Sequence, residues 1–94
     1  MDSAEALSLL EKALRRLRLE SYEDLARRID AEPETEAAQG ESGTVYQLEF
    51  SVVWDDQPSG NLRVLGSIDD GGWRAFAPLS RSFIKARDGT FVGE

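Results

Sequence analysis

With 94 residues, 40% of them hydrophobic and 31% charged, the chain has room for one domain with a thin core. It contains neither cysteine nor histidine, which excludes disulfides, thiolate nucleophiles, cysteine- or histidine-ligated zinc and any triad built on Ser–His or Cys–His. A formal net charge of −7 works against nonspecific binding to nucleic acid and against attraction to anionic membranes.

Leu7, Leu10, Leu14 and Leu17 recur at spacings of three and four, with Ala6, Leu9 and Ala13 widening the stripe, which predicts an amphipathic helix. Asp2, with Glu5 three residues on, or Ser3 caps its start. Arg15, Arg16 and Arg18 stand in its last turn, where cations suit the helix dipole. A second, shorter helix is predicted from Ser21, with Ser21 and Asp24 as a capping pair and Tyr22, Leu25, Ala26 and Ile29 as its apolar face. Both stripes read as core packing, because neither repeat lasts long enough for a coiled coil.

Residues 30–43 read as an acidic linker. Asp30, Glu32, Glu34, Glu36 and Glu41 have no basic residue among them, and Pro33 stops any helix running on from Ile29. The plain reading is a solvated connection; the rival is a docking segment for a basic partner. Residues 1–29 hold six acids and six bases, so this linker carries most of the net charge.

From Thr44 the period changes to two. Tyr46, Leu48, Phe50, Val52 and Trp54 alternate with mostly polar residues and predict a strand with one large apolar face. Turn formers from Asp55 to Asn61 predict a hairpin loop. A second strand follows, with Leu62, Val64 and Ile68 on one face and Arg63, Leu65 and Ser67 on the other; Gly66 within it marks a bulge or a close backbone approach. Val45, Val53 and Leu65 fall on the face opposite the main core. Asp69-Asp70-Gly71-Gly72 is a tight turn, and a third strand is expected from Trp73 to about Ala77, ended or placed at an edge by Pro78. The tail, 79–94, reads as a short irregular or helical piece and then a last strand or hairpin around Asp88-Gly89, Phe91 and Val92.

This order predicts a single α+β domain: one or two N-terminal helices (1–29) and an acidic linker (30–43), then a three- to four-stranded antiparallel meander (44–94) against which the helices pack.

Candidate chemistry is sparse. Asp55-Asp56 and Asp69-Asp70 flank turns at opposite ends of a hairpin, so they do not share one site, and aspartate favours turns through local hydrogen bonds. Asp69 and Asp70 lack the alternating oxygen ligands of a calcium loop. Gly71-Gly72 opens a strand-like segment after two carboxylates, which would repel phosphate. Trp54 and Trp73 stand at strand ends beside acidic turns, where they cap the small core or anchor an interface. The candidate ligand- or partner-binding residues are therefore Trp54, Asp69, Asp70, Trp73 and Arg74, with no catalytic residue, no metal and no cofactor expected.

The residues Trp54-Asp55-Asp56, Arg63-Val64, Gly66 to Phe76, Phe83-Ile84-Lys85 and Asp88 to Glu94 together resemble the pattern of a group of small bacterial proteins. The resemblance covers about half of the chain and implies no activity. In element order alone, a helix before a curved antiparallel sheet is similar to the cystatin-like and NTF2-like folds, which host many unrelated functions.

The expectation is a non-enzymatic binding or regulatory module acting through protein–protein association, as a homodimer or with a protein partner. The alternative is a small-molecule-binding protein or weak enzyme with a pocket between helix and sheet, using Tyr46, Trp54, Trp73 and nearby aspartates. An acidic start without a basic region, and the lack of a long apolar run, predict a cytoplasmic protein that binds neither membrane nor nucleic acid.

Overall fold

Helix α1 spans Ser3–Arg18, and its N-cap is Asp2, whose carboxylate accepts a hydrogen bond from the Glu5 amide at 3.0 Å. In this computed structural model, which describes residues 1–72 and 78–94, its buried stripe runs through Ala6, Leu10, Ala13 and Leu14. Leu7, Leu9 and Leu17 flank it half-buried. The short helix α2 spans Tyr22–Ala26, and the Ser21 hydroxyl caps it by accepting from the Asp24 amide at 3.0 Å. Both predicted starts are as expected.

Five strands follow: β1 (Glu34–Gln39), β2 (Val45–Trp54), β3 (Leu62–Asp69), β4 (Leu79–Lys85) and β5 (Phe91–Val92). They form one antiparallel sheet in chain order, a meander with both helices on one side. The fold is α+β, as predicted, with more strands than the three or four expected.

The extra strand is β1, which lies inside the segment expected to be a linker. It pairs with β2 from Glu34↔Phe50 to Gln39↔Val45. The turn between them closes through the Gly40 amide on the Thr44 carbonyl at 2.9 Å, with Gly43 at φ 92°, a conformation that glycine adopts without a Cβ penalty. The inward positions of β1 are Glu34, Glu36 and Ala38 rather than large apolar residues. Arg28 and Arg16 reach across from the helical layer to pair with Glu34 and Glu36. The acidic run is thus partly neutralised by the helices, and an edge strand replaces a solvated connection.

The tail is also more regular than expected. Residues Leu79–Lys85 pair with β3 along their whole length, and β5 closes a hairpin on Ile84 and Lys85. The strand expected over Trp73 to Ala77 lies outside the described residues.

Between the layers, the buried stripe of α1, which lies over β3 and β4, and Leu25 of α2 share one core with Tyr46, Leu48, Phe50, Val52, Leu62, Val64, Ile68 and Phe83. Gly66 sits beneath the helix. A Cβ there would lie 3.0 Å from Leu10 Cδ1, 3.1 Å from Leu14 Cδ2 and 3.2 Å from Phe50 Cδ1. The register runs through Gly66 without interruption, so of the two readings of this glycine the close approach is the one realised.

Candidate functional site

The sheet has one covered face and one open face. Inward residues on β2 to β4 alternate with outward ones that no helix covers among the described residues. The register places Val53, Arg63, Ile84 and Val92 in one outward row across β2, β3, β4 and β5. Leu65 lies in the adjacent row between Ser51 and Ser82. Val53, Leu65 and Val92 are 41%, 37% and 41% exposed. Val45 adds an exposed valine at the far corner of the same face.

This face also differs from the rest of the molecule in charge. In a chain that is 31% charged, the ionisable side chains at outward positions of the five strands are Glu49, Arg63 and Asp69 alone. Arg63 is already engaged: its guanidinium donates to Asp55 at 2.9 Å and to the Ser82 hydroxyl at 3.0 Å. The net charge of the chain therefore lies elsewhere, on the turns and around β1, the helical residues 1–29 being balanced.

The sequence-predicted site residues are not all gathered together. Trp54 ends β2 on the covered side, half-buried, with its ring centroid 6.5 Å from that of Tyr22. Tyr22 in turn donates its hydroxyl proton to the Gly60 carbonyl at 2.7 Å. Asp69 ends β3 opposite Gln47, a separation from Trp54 of seven residues along β2, or about 24 Å. Asp69 and Asp70 accept hydrogen bonds from the Gly71 and Gly72 amides at 2.8 and 3.1 Å, and Asp70 also lies 3.7 Å from the terminal amino group. Trp73 and Arg74 lie outside the described residues.

Two polar clusters escaped the sequence reading. At one end of α1 the Glu5 carboxylate accepts from the Tyr46 hydroxyl at 2.8 Å and from the Ser42 hydroxyl and amide at 2.7 and 3.1 Å. Donation from Ser42 and then Tyr46 holds the Glu5 carboxyl below the usual glutamate range. Burial, reinforced by the Glu5 carboxylate, pushes the Tyr46 phenol up to about 12. At the other end Lys85, buried on β4, donates from Nζ to the carbonyls of Arg18 and Glu20 at 3.2 and 2.6 Å, capping the last turn of α1. Arg18 lies 3.9 Å from the centroid of the Phe91 ring and makes a bidentate pair with Glu94 at 2.8 and 2.6 Å. Both clusters fasten the helix to the sheet, and all their buried polar side-chain atoms have partners among the described residues.

Tyr46, Leu48, Phe50 and Val52 are buried in one core with Ala6, Leu10, Ala13 and Leu14 of α1 and Leu25 of α2, so this face of β2 is core rather than the wall of a large pocket between helix and sheet. The larger hollows lie at the rim. One is a groove of about 400 Å³ between α1 and β4, lined by Leu14 and Phe83 with Glu11, Arg15, Arg18, Arg81 and Ser82. Among the described residues no group of three or more acidic side chains converges, and no helix is long and apolar enough to cross a membrane.

No family model, no curated protein and no solved structure matches this chain.

Proposed function

We propose that this chain is a non-enzymatic binding module that acts through protein–protein association, and that the open face of the sheet is its contact surface, with a second copy of the chain as the occupant. The observation that carries the reading is the outward row in which Val53, Ile84 and Val92 flank an ion-paired Arg63, with Leu65 beside it, on a face holding three ionisable residues in a heavily charged chain. Apolar surface gathered in one place on a small domain marks an interaction site more often than scattered exposure does. A second copy fits because the two molecules would meet through a face with few charges, away from the acidic turns and the acidic segment around β1 that would repel. Burying a Val, Leu or Ile side chain contributes about 1.5–3 kcal/mol in full, and these residues are partly buried already, so the expected association is modest.

Light scattering over a concentration series tests the reading. The mean mass is expected to climb from that of one chain toward that of two. A mass that stays at one chain at high concentration, with no protein retained on the immobilised chain, contradicts it.

A further inference from the structure

A second surface, at the β4 edge of the sheet, has the features of a strand-docking groove. β5 pairs only with Ile84 and Lys85. Among the described residues nothing pairs with the outer edge of β4 from Leu79 to Phe83. The Ala86 amide donates to the Thr90 carbonyl at 2.8 Å, closing the β4–β5 hairpin. In an antiparallel ladder, the residues that turn both backbone groups toward one neighbour recur every second position. Counting back from Ala86 through Ile84, Ser82 and Ser80 therefore direct their N–H and C=O groups to the open edge. The Ser80 carbonyl bears this out, since it accepts from its neighbour's side chain, Arg81, at 2.8 Å rather than from a strand.

This edge forms one wall of the 400 Å³ groove whose other wall is α1. The floor is apolar, from Leu14 and Phe83. Arg15, Arg18 and Arg81 stand around it, with Glu11 the one acid that lines it. Arg18 is neutralised by Glu94, while Arg15 and Arg81 make no ion pair among the described residues. Two guanidinium groups that face one hollow without an acidic partner among the described residues, one of them donating only to the Ser80 carbonyl, are out of keeping with a chain of net charge −7.

We propose that this groove takes an extended acidic peptide, which adds a strand to the outer edge of β4 and presents carboxylates at alternate positions to Arg15 and Arg81. Backbone hydrogen bonds to Ser82 and Ser80 supply the docking, the guest amide taking the Ser80 carbonyl from Arg81 and freeing that guanidinium for a carboxylate, as in other cases of strand addition to an open sheet edge. The period of two sends every second side chain of the guest toward the helical side of the sheet, where the arginines are. The preferred guest thus has an acid at every second residue, and it binds on a different surface from the face proposed for self-association.

The probe is a blocked hexapeptide of alternating valine and glutamate carrying a fluorophore, with an alternating valine–lysine peptide and a backbone N-methylated copy of the glutamate peptide as controls. Fluorescence anisotropy and amide chemical shifts are recorded for the whole chain and for the Arg15→Glu/Arg81→Glu variant. Both substituted side chains are exposed, so circular dichroism is expected to show an unchanged fold. The glutamate peptide should bind and shift the amide signals of Ser80 and Ser82, and the variant should weaken it by about tenfold or more. The lysine and N-methylated peptides should bind at least about tenfold more weakly. Absence of binding overturns the proposal. So does binding that survives in the double variant, binding of the N-methylated peptide with equal strength, or shifts at Val53, Leu65 and Val92 that leave the Ser80 and Ser82 amides unmoved.

Discussion

Gly66 is the residue on which the distance between helix and sheet turns. Its missing side chain lets Leu10 and Leu14 rest on the backbone of β3. Because three side chains crowd the same point, Gly66→Ala is expected to force small shifts in all of them and to cost about 1–3 kcal/mol, the range for an added methyl in a packed core. Chemical denaturation measures this as a lowered midpoint at unchanged slope. The Glu5–Tyr46 pair gives a second residue-scale expectation. Glu5, Glu94 and Asp88 are held below their ordinary values by Ser42, Arg18 and Thr90 respectively. A depressed carboxylate stabilises the fold above its unfolded pKa, so stability should fall as pH drops below about 4.5 for the glutamates. Tyr46 works in the opposite direction. Its phenol is raised from 10.0 to about 12, so its contribution is complete below pH 10 and is lost as pH climbs from there to about 12. Thermal midpoints across pH should show a plateau with both flanks, and Tyr46→Phe should remove the highest-pH component of tyrosinate absorbance.

At the scale of the elements, α1, α2, β2 and β3 were legible because large apolar residues repeat at the spacing of the element that carries them. β1 and β4 were not, and for one physical reason. Their inward positions include Glu34, Glu36, Arg81 and Lys85, which serve as ion-pair and capping partners of the helical layer or line its rim, so period-two hydrophobicity is absent. Pairing with the already formed neighbour imposes the strand instead, as expected when context overrides propensity. Lys85 shows what such a residue contributes. Replacing it with Met keeps the buried stem but leaves the Arg18 and Glu20 carbonyls without their charged donor. A loss of about 1–3 kcal/mol is expected, read from denaturation, with helical circular dichroism retained because the packing stripe of α1 is untouched. A midpoint equal to that of the parent chain would mean that water replaces the cap at no cost.

For the whole molecule, the arrangement is two layers with the helices on one side only. Part of the proposed contact surface was visible in advance, since Val45, Val53 and Leu65 oppose the apolar face of their strands. Ile84 and Val92 join them only once β4 and β5 are known to be strands in register with β3. The groove between α1 and β4 was not legible at all, because it unites residues 11–18 with 81–83 across most of the chain. Trp54 and Asp69 lie at opposite ends of the sheet, as the hairpin order read from the sequence places the turns beside them.

Sedimentation of three chains tests the proposed contact surface most directly: the parent, Leu65→Asp on the open face, and Leu19→Asp. Leu19 is 88% exposed beyond the end of α1 and provides the control for exposed apolar surface elsewhere. The parent and Leu19→Asp are expected to associate alike as concentration rises, while Leu65→Asp stays a single chain with an unchanged fold. Equal association by Leu65→Asp, or its loss in Leu19→Asp instead, would contradict the account.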